Sequence, residues 1–338
     1  MYRFLAHRII LMFGILAGVM FLTFILSRML PGSPVEMMLG HRPTPEQIAL
    51  ARAELGLDKP VFIQFFYYLG NLVQGDWGMS LRTGRPVIED LGMRFGATFE
   101  LTTLALIIVV TLGIPLGVLS AVKQNSMLDH ITRTGSIAGM ALPVFLIGML
   151  LQMLFYGKLS WFPLQGRIHS EVALDFSFDP ITGLYLIDTL LGGQWVAFKS
   201  AVHHLVLPVA SLAIASIAVV TRITRNTMVE VLGEDHIKTL RAYGIPARLI
   251  YYRYALKATL IPLLTVIGLT YGYMLGGSVV IEYVFDWPGM GSYVVGAITQ
   301  SDYPAVLGVT ILLASIYLTI NLIIDLLYQF VDPRLKVA

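Results

Sequence analysis

Few residues of this chain have the type and spacing for covalent chemistry. Gly75-Asp76 carries the dipeptide of an intramembrane aspartyl protease, yet it lies in a loop between apolar runs. His203 and His204 are adjacent, so on a helix they point about 100° apart and suit an interface better than a shared ligand. There is no G-x-S-x-G nucleophile elbow, no H-E-x-x-H zinc pair and no G-x-x-x-x-G-K-[ST] phosphate loop. Cysteine is absent, which removes disulfides, thiolate metal sites and cysteine nucleophiles. Ion-coupled transport would ask for a paired acid near the middle of a membrane helix. The sequence offers Glu100 and Gln152 at or within apolar stretches. It also offers Asn321 and Asp325, four residues apart on one helical face, with Asp325 near the end of its stretch. A central charge costs about 2.5–3.5 kcal/mol on insertion scales, and one acid near an interface is thin support for ion coupling. Neither a catalytic residue nor a metal site is assigned.

What remains is conformational chemistry, and it depends on the apolar elements. Of 338 residues, 56% are hydrophobic and 13% charged, about half the charge of a soluble domain. The mean hydropathy is +0.75. The net charge of +2 gives no reason to expect nucleic acid. A spanning helix needs roughly 20 mostly apolar residues. Six stretches qualify or nearly do, at about 9–27, 101–122, 134–157, 205–221, 258–281 and 305–330. The first reads as a retained helix and not as a signal peptide, because its apolar run is long and no A-x-A cleavage site follows. The fourth is short and holds Pro208, which a membrane helix tolerates. The expected fold is an all-α membrane bundle of six helices. Residues 1–97 form the first helix with a small extracytoplasmic region, and 98–338 form the core.

Charge gives an orientation, since Lys and Arg favour cytoplasmic loops. Arg3 and Arg8 open the chain, Lys123 and Arg133 flank the second gap, and Arg334 and Lys336 close the chain. Segment 282–304 has Glu282, Asp286 and Asp302 and no Lys or Arg. Both termini are therefore expected inside. In segment 31–97, Thr44-Pro45-Glu46-Gln47 looks like a helix start running to about Leu55, and a second helix should follow Pro60 with a stripe of Phe62, Phe65, Phe66 and Leu69.

Segment 222–257 is the most informative. Arg222, Arg225, Lys238, Arg241, Arg248, Arg253 and Lys257 outweigh Glu230, Glu234 and Asp235. Thr221 to Leu232 should extend the fourth helix. Gly233-Glu234-Asp235 should break it and offer acidic caps to a short amphipathic helix, with Ile237, Leu240 and Tyr243 on one side. Gly244 should end that helix and Pro246 start another. The short helix is either an interfacial helix on anionic headgroups or a rigid lever for a partner protein. Small residues also recur at four-residue spacing, as Gly14/Gly18, Gly113/Gly117, Gly135/Gly139 and Gly268/Gly272/Gly276. Such spacing serves close helix packing, and the triple repeat is the best candidate for a subunit or pore seam.

"TRNTMVEVLGEDHIKTLRAYGIPARLIYYRYALKATLIPLLTVIGL" (224–269) resembles the cytoplasmic loop of bacterial binding-protein-dependent ABC importer permeases of the dipeptide, oligopeptide and nickel group. "RMLPGSPVEMM" (28–38), "LGLDKPVFIQFFYYLGNLVQGDWGMSL" (55–81), "GIPLGVLSAVK" (113–123), "DPITGLYLIDTLL" (179–191), "EYVFDWPGMG" (282–291) and "DYPAVLGVTILLASIYLTINLIIDLLYQFVDPR" (302–334) extend the likeness over nearly the whole chain, closest to the dipeptide branch. The resemblance implies a type I importer fold in the bacterial inner membrane. It implies pairing with a second homologous permease, two cytoplasmic P-loop ATPase subunits and an extracytoplasmic peptide-binding protein, with membrane lipid around them. ATP and Mg would be bound by the ATPases, with no cofactor in this chain. The short helix becomes the coupling helix, carried by Asp235, His236, Ile237, Arg241, Ala242, Gly244 and Ile245. Leu240 and Tyr243 depart from the alanine and lysine frequent there, so the lever should need its own ATPase's cleft. The substrate within the group is left open.

Overall fold

A computed structural model describes residues 2–29, 44, 46–47, 59–175 and 181–331. The chain divides into two compact units, residues 1–96 with 289–318 and residues 97–288 with 319–338. Among the described residues, five helices are long and apolar enough to cross a membrane, and a bent pair supplies a sixth crossing if it counts as one span.

In the first unit α1 (Tyr2–Met29) packs on α2 (Val61–Val73). Phe24 and Phe65 are buried where they meet. The expected phenylalanine stripe is split: Phe65 and Leu69 face inward, while Phe62 and Phe66 are exposed, although Phe62 stacks on Phe21 at 5.6 Å. Thr44 and Gln47 exchange the bonds of a capping box. Thr44 N–H donates to Gln47 Oε1 at 3.0 Å and Gln47 N–H to Thr44 Oγ1 at 3.3 Å. The helix they would open lies outside the described residues. Further on, Val87 and Leu91 meet Tyr293 and Val309. Burial pushes the Tyr293 phenol up to about 12, so it stays protonated and donates to Asp90 Oδ2 at 3.0 Å. Asp302 accepts from Ser80 Oγ and from the Arg82 N–H.

The second unit is built from α3 (Val87–Val122) from residue 97 onward, α4 (Met127–Ala141), α5 (Val144–Leu151), α6 (Ser170–Asp175), α7 (Tyr185–Leu191), α8 (Trp195–Leu232) and later helices. The expected third span is not one straight helix. It breaks between α4 and a second limb at Val144–Lys158, and the two limbs are bent by 102°. The cause is local: Leu142 precedes Pro143, whose ring drives it out of the helical region to φ −89°, ψ 130°. Gln152 opens a π-helical turn, Gln152–Lys158, and donates to the carbonyls of Leu164 and Val284. Its polarity in an apolar stretch is thus spent on staples. α8 reaches Leu232 as expected and runs through Pro208, but it starts at Trp195, ahead of the expected 205, because its polar N-terminal end continues the same helix.

Close approach of α3 and α8 explains the Gly113/Gly117 pair. A Cβ on Gly117 would stand 2.5 Å from Thr224 Cβ and 2.7 Å from the Thr221 carbonyl. Thr221 Oγ1 in turn donates to the Gly113 carbonyl at 3.2 Å. Gly117→Ala is expected to destabilise the protein by about 1–3 kcal/mol through overpacking, read as a lower unfolding midpoint in detergent. Gly14→Ala, where a Cβ meets nothing within 4 Å, should leave the midpoint unchanged.

At the far end of α3, Glu100 Oε2 pairs with Arg167 Nη2 at 2.6 Å and Oε1 accepts the Leu186 N–H at 2.7 Å. Arg167 also lies 3.6 Å over the Tyr185 ring. Asp188 accepts from Thr182 and Gly183. The 282–291 motif buries Trp287, whose Nε1 donates to the Ala97 carbonyl, while Glu282 accepts from Thr98 Oγ1. Segment 159–194 is therefore an ordered structure wherever it is described.

Candidate functional site

The basic segment folds into a short helix between two breaks, the element the sequence reading expected to act as a lever. α8 ends at Leu232 and Gly233, and α9 (Asp235–Ala242) follows after Glu234. An isolated eight-residue helix is marginal in water, so its neighbours must hold it. Ile237 is 0% exposed, packed among Val118 and Ala121 of α3, Met228 and Val231 of α8, and Ile250 and Ala255. Burying such a side chain contributes about 1.5–3 kcal/mol. Leu240 and Ile245 pack partly against the same cluster.

The C-terminus closes in the two-bond motif that a left-handed residue permits. Gly244 has φ +74°. Its N–H donates to the Arg241 carbonyl at 3.0 Å, and the Ile245 N–H reaches the Leu240 carbonyl at 3.2 Å. Leu240 and Ile245 supply the accompanying apolar contact. The chain then continues through α10 (Ala247–Leu249), a π-helical turn Ile250–Ala255 and α11 (Leu256–Ala258) into α12 (Leu260–Val284). α13 (Met290–Thr299) and α14 (Tyr303–Val331) complete the order.

The sequence-derived lever residues separate into two groups. Ile237 is buried and Ile245 half-buried against the chain's own cluster, whereas Asp235, His236, Arg241, Ala242 and Gly244 are exposed together. Tyr243, expected on the apolar side, is 80% exposed. It caps the helix after the last periodic position, and Ile245 takes the inward place. Glu234 stands at the N-cap but makes no side-chain cap bond. Its carboxylate meets His236 Nδ1 at 3.0 Å, and Asp235 meets Lys238 Nζ at 2.8 Å.

Behind the lever lies a polar knot that sequence reading missed. Asp129, 0% exposed, takes Arg225 in a two-pronged grip, Nε to Oδ1 at 3.0 Å and Nη2 to Oδ2 at 2.9 Å. Ser120 Oγ donates to Oδ1 at 2.6 Å and the Asn125 N–H to Oδ2 at 3.0 Å. The signal available was Ser126-x-x-Asp129, a helix-start pattern; Ser126 caps α4 by accepting the Asp129 N–H. The knot ties α3, the turn, α4 and α8, and two of these also carry the lever's cluster.

The triple glycine of α12 behaves unevenly. Gly268 is buried, and a Cβ there would stand 2.3 Å from Ile324 Cδ1, so it closes on the chain's own α14. Gly272 is half-buried, and Gly276 is exposed with nothing of this chain within 4 Å of a Cβ. Nearby, a cavity of about 410 Å³ opens between α4, α8 and α12, with Met140, Val219, Ile223 and Leu269 on its walls. Ser216, Thr270 and Tyr273 give it hydroxyls, and among the described residues no charged side chain lines it.

Residues 113–337 match the family model described as binding-protein-dependent transport system inner membrane component, and residues 1–102 match the corresponding N-terminal model. A probable D,D-dipeptide transport system permease protein of Escherichia coli K12 is 44% identical over 95% of this chain and 94% of its own length. A di/tripeptide transport system permease protein of Pseudomonas aeruginosa is 42% identical, and the dipeptide transport system permease protein of Escherichia coli K12 is 41% identical, each over 99% of both chains. An apolar bundle, a capped lever and a full-length match converge: the chain belongs to the family of inner-membrane permease components of binding-protein-dependent transport systems.

Proposed function

We propose that this chain is one permease subunit of an ATP-driven importer of dipeptides or short oligopeptides. The family depends on a binding protein and on ATPase partners. The finer reading gives it one homologous permease partner, two P-loop ATPases that bind ATP and Mg, a peptide-binding protein outside, and both termini in the cytoplasm. The observation that carries the proposal is α9, fastened by Ile237 and presenting Asp235, His236, Arg241, Ala242 and Gly244 outward. The full-length likeness to peptide permeases supports the substrate class.

Mechanically, ATP binding closes the ATPase pair and pushes on α9. Because α9 is packed on α3, α8 and the π-helical turn, the push reaches the helix bundle. That shifts its population between inward-open and outward-open states. No covalent bond changes in this chain. The uncharged cavity with its three hydroxyls is this chain's share of the path, suited to peptides of differing side-chain charge. Since the chain has no cysteine, Tyr273→Cys gives a background-free probe. Thiol reagents are expected to label it in membranes, with the rate falling severalfold while substrate peptide is being transported; a rate indifferent to transport would remove this cavity from the path.

The whole reading is tested by tagging the chain, extracting it from native membranes in mild detergent and identifying its companions by mass spectrometry. A second permease together with P-loop ATPases is the expected result. A chain that purifies alone and transports in vesicles without ATP would overturn it.

A further inference from the structure

A second cavity, about 220 Å³, lies between α3, α4 and α8 and is lined by Arg133, Arg222 and Arg225 with the hydroxyls of Ser120, Thr132 and Ser136. Among the described residues, no acidic side chain lines it. Asp129 neutralises Arg225 from behind. Arg133 and Arg222 pair with no carboxylate among the described residues. Two uncompensated guanidinium charges therefore face a small, hydroxyl-rich space.

Guanidinium forks match the oxygen geometry of phosphate. Along α4, Ile137 follows Arg133 on one helical face, and Ile137, at the cavity wall, is 64% exposed. A charged end followed by an exposed apolar side chain fits a head and a tail. A zwitterionic peptide fits less well, because this cavity is cationic and offers, among the described residues, no carboxylate for its amine. Basic pockets between membrane helices on the cytoplasmic side favour anionic headgroups.

We propose that Arg133 and Arg222 hold the phosphate of an anionic phospholipid, with its acyl chain along Ile137. Its assignment to the inner leaflet rests on the orientation proposed above; binding itself does not. The lipid fills the gap beside the Asp129–Arg225 knot and so supports the same end of the bundle as the lever.

The test uses the transporter purified in detergent through a tag on this chain, examined by native mass spectrometry with added phosphatidylglycerol or phosphatidylcholine. The wild-type protein is expected to keep one phosphatidylglycerol through washing. Arg133→Gln/Arg222→Gln should bind it about thirtyfold more weakly, at about 1 kcal/mol for each basic residue, while phosphatidylcholine binding and the unfolding midpoint of the lipid-free protein stay unchanged. If that pair does not fold, Arg222→Gln alone, at an exposed residue, should read about fivefold. Equal retention of phosphatidylglycerol by wild type and variant overturns the proposal. So does displacement of the lipid by millimolar inorganic phosphate, which marks a free-anion site, or by dialanine, which marks a substrate site. These outcomes are independent of whether the protein imports peptides.

Discussion

Gly244→Arg is expected to abolish uptake while the chain still reaches the membrane in normal amount. Two effects combine at this position. Gly244 sits at φ +74°, where an L-residue is strained by about 1–2 kcal/mol. That alone depletes the capped conformation by about five- to thirtyfold. A Cβ at Gly244 meets nothing of this chain within 4 Å, so the added side chain projects from the exposed face of the lever. Folding of the bundle is spared and docking is not. Gly244→Ala should show the strain alone and an intermediate rate, and Gly244→Asn, which tolerates the left-handed region, should keep most of the transport. The measurement is labelled dipeptide uptake in cells, normalised to the chain in membranes. Wild-type uptake by the arginine variant would detach α9 from coupling.

What could be read from the sequence was local. Apolar length marked the crossings, and Gly233, Gly244 and Pro246 punctuated the lever within a residue or two of its observed ends. Gly113 and Gly117 signalled close packing, but their partners, Val220 and Thr224, lie about a hundred residues away. Glu100 stood out as a costly acid, yet Arg167, 67 residues further on, was just another loop charge until folding joined them. Pro143 was visible, but the expected third span ran straight through it, so the 102° between its flanking limbs went unread. Ile237 showed its apolarity, while the cluster that buries it comes from three separate helical elements. Binary pattern gave the inward side of α9 one residue wrongly, at Tyr243, because a cap residue does not continue the helical period.

Arg225→Gln is expected to be the most destabilising change in the polar knot, because it leaves Asp129 fully buried without its cation. Breaking a buried pair from one side costs about 3–5 kcal/mol. Asp129→Asn should cost less: Arg225 is 14% exposed and can turn its charge toward water, while Ser120 and the Asn125 N–H lose only the stronger acceptor. The double change, Asp129→Asn with Arg225→Gln, should recover part of the loss, since no charge is then buried alone. Unfolding midpoints of the four proteins give the coupling by a double-mutant cycle. Additive losses would mean that the pair acts as two independent contacts. A functional consequence follows from geometry. Ser120 and Arg225 belong to α3 and α8, the helices that supply Val118 and Met228 to the cluster holding Ile237. Loosening the knot should therefore uncouple the lever before it unfolds the bundle. At a temperature where Asp129→Asn is still folded, ATP hydrolysis by the purified assembly should continue while peptide import per ATP falls. A parallel loss of both would assign the knot to stability alone.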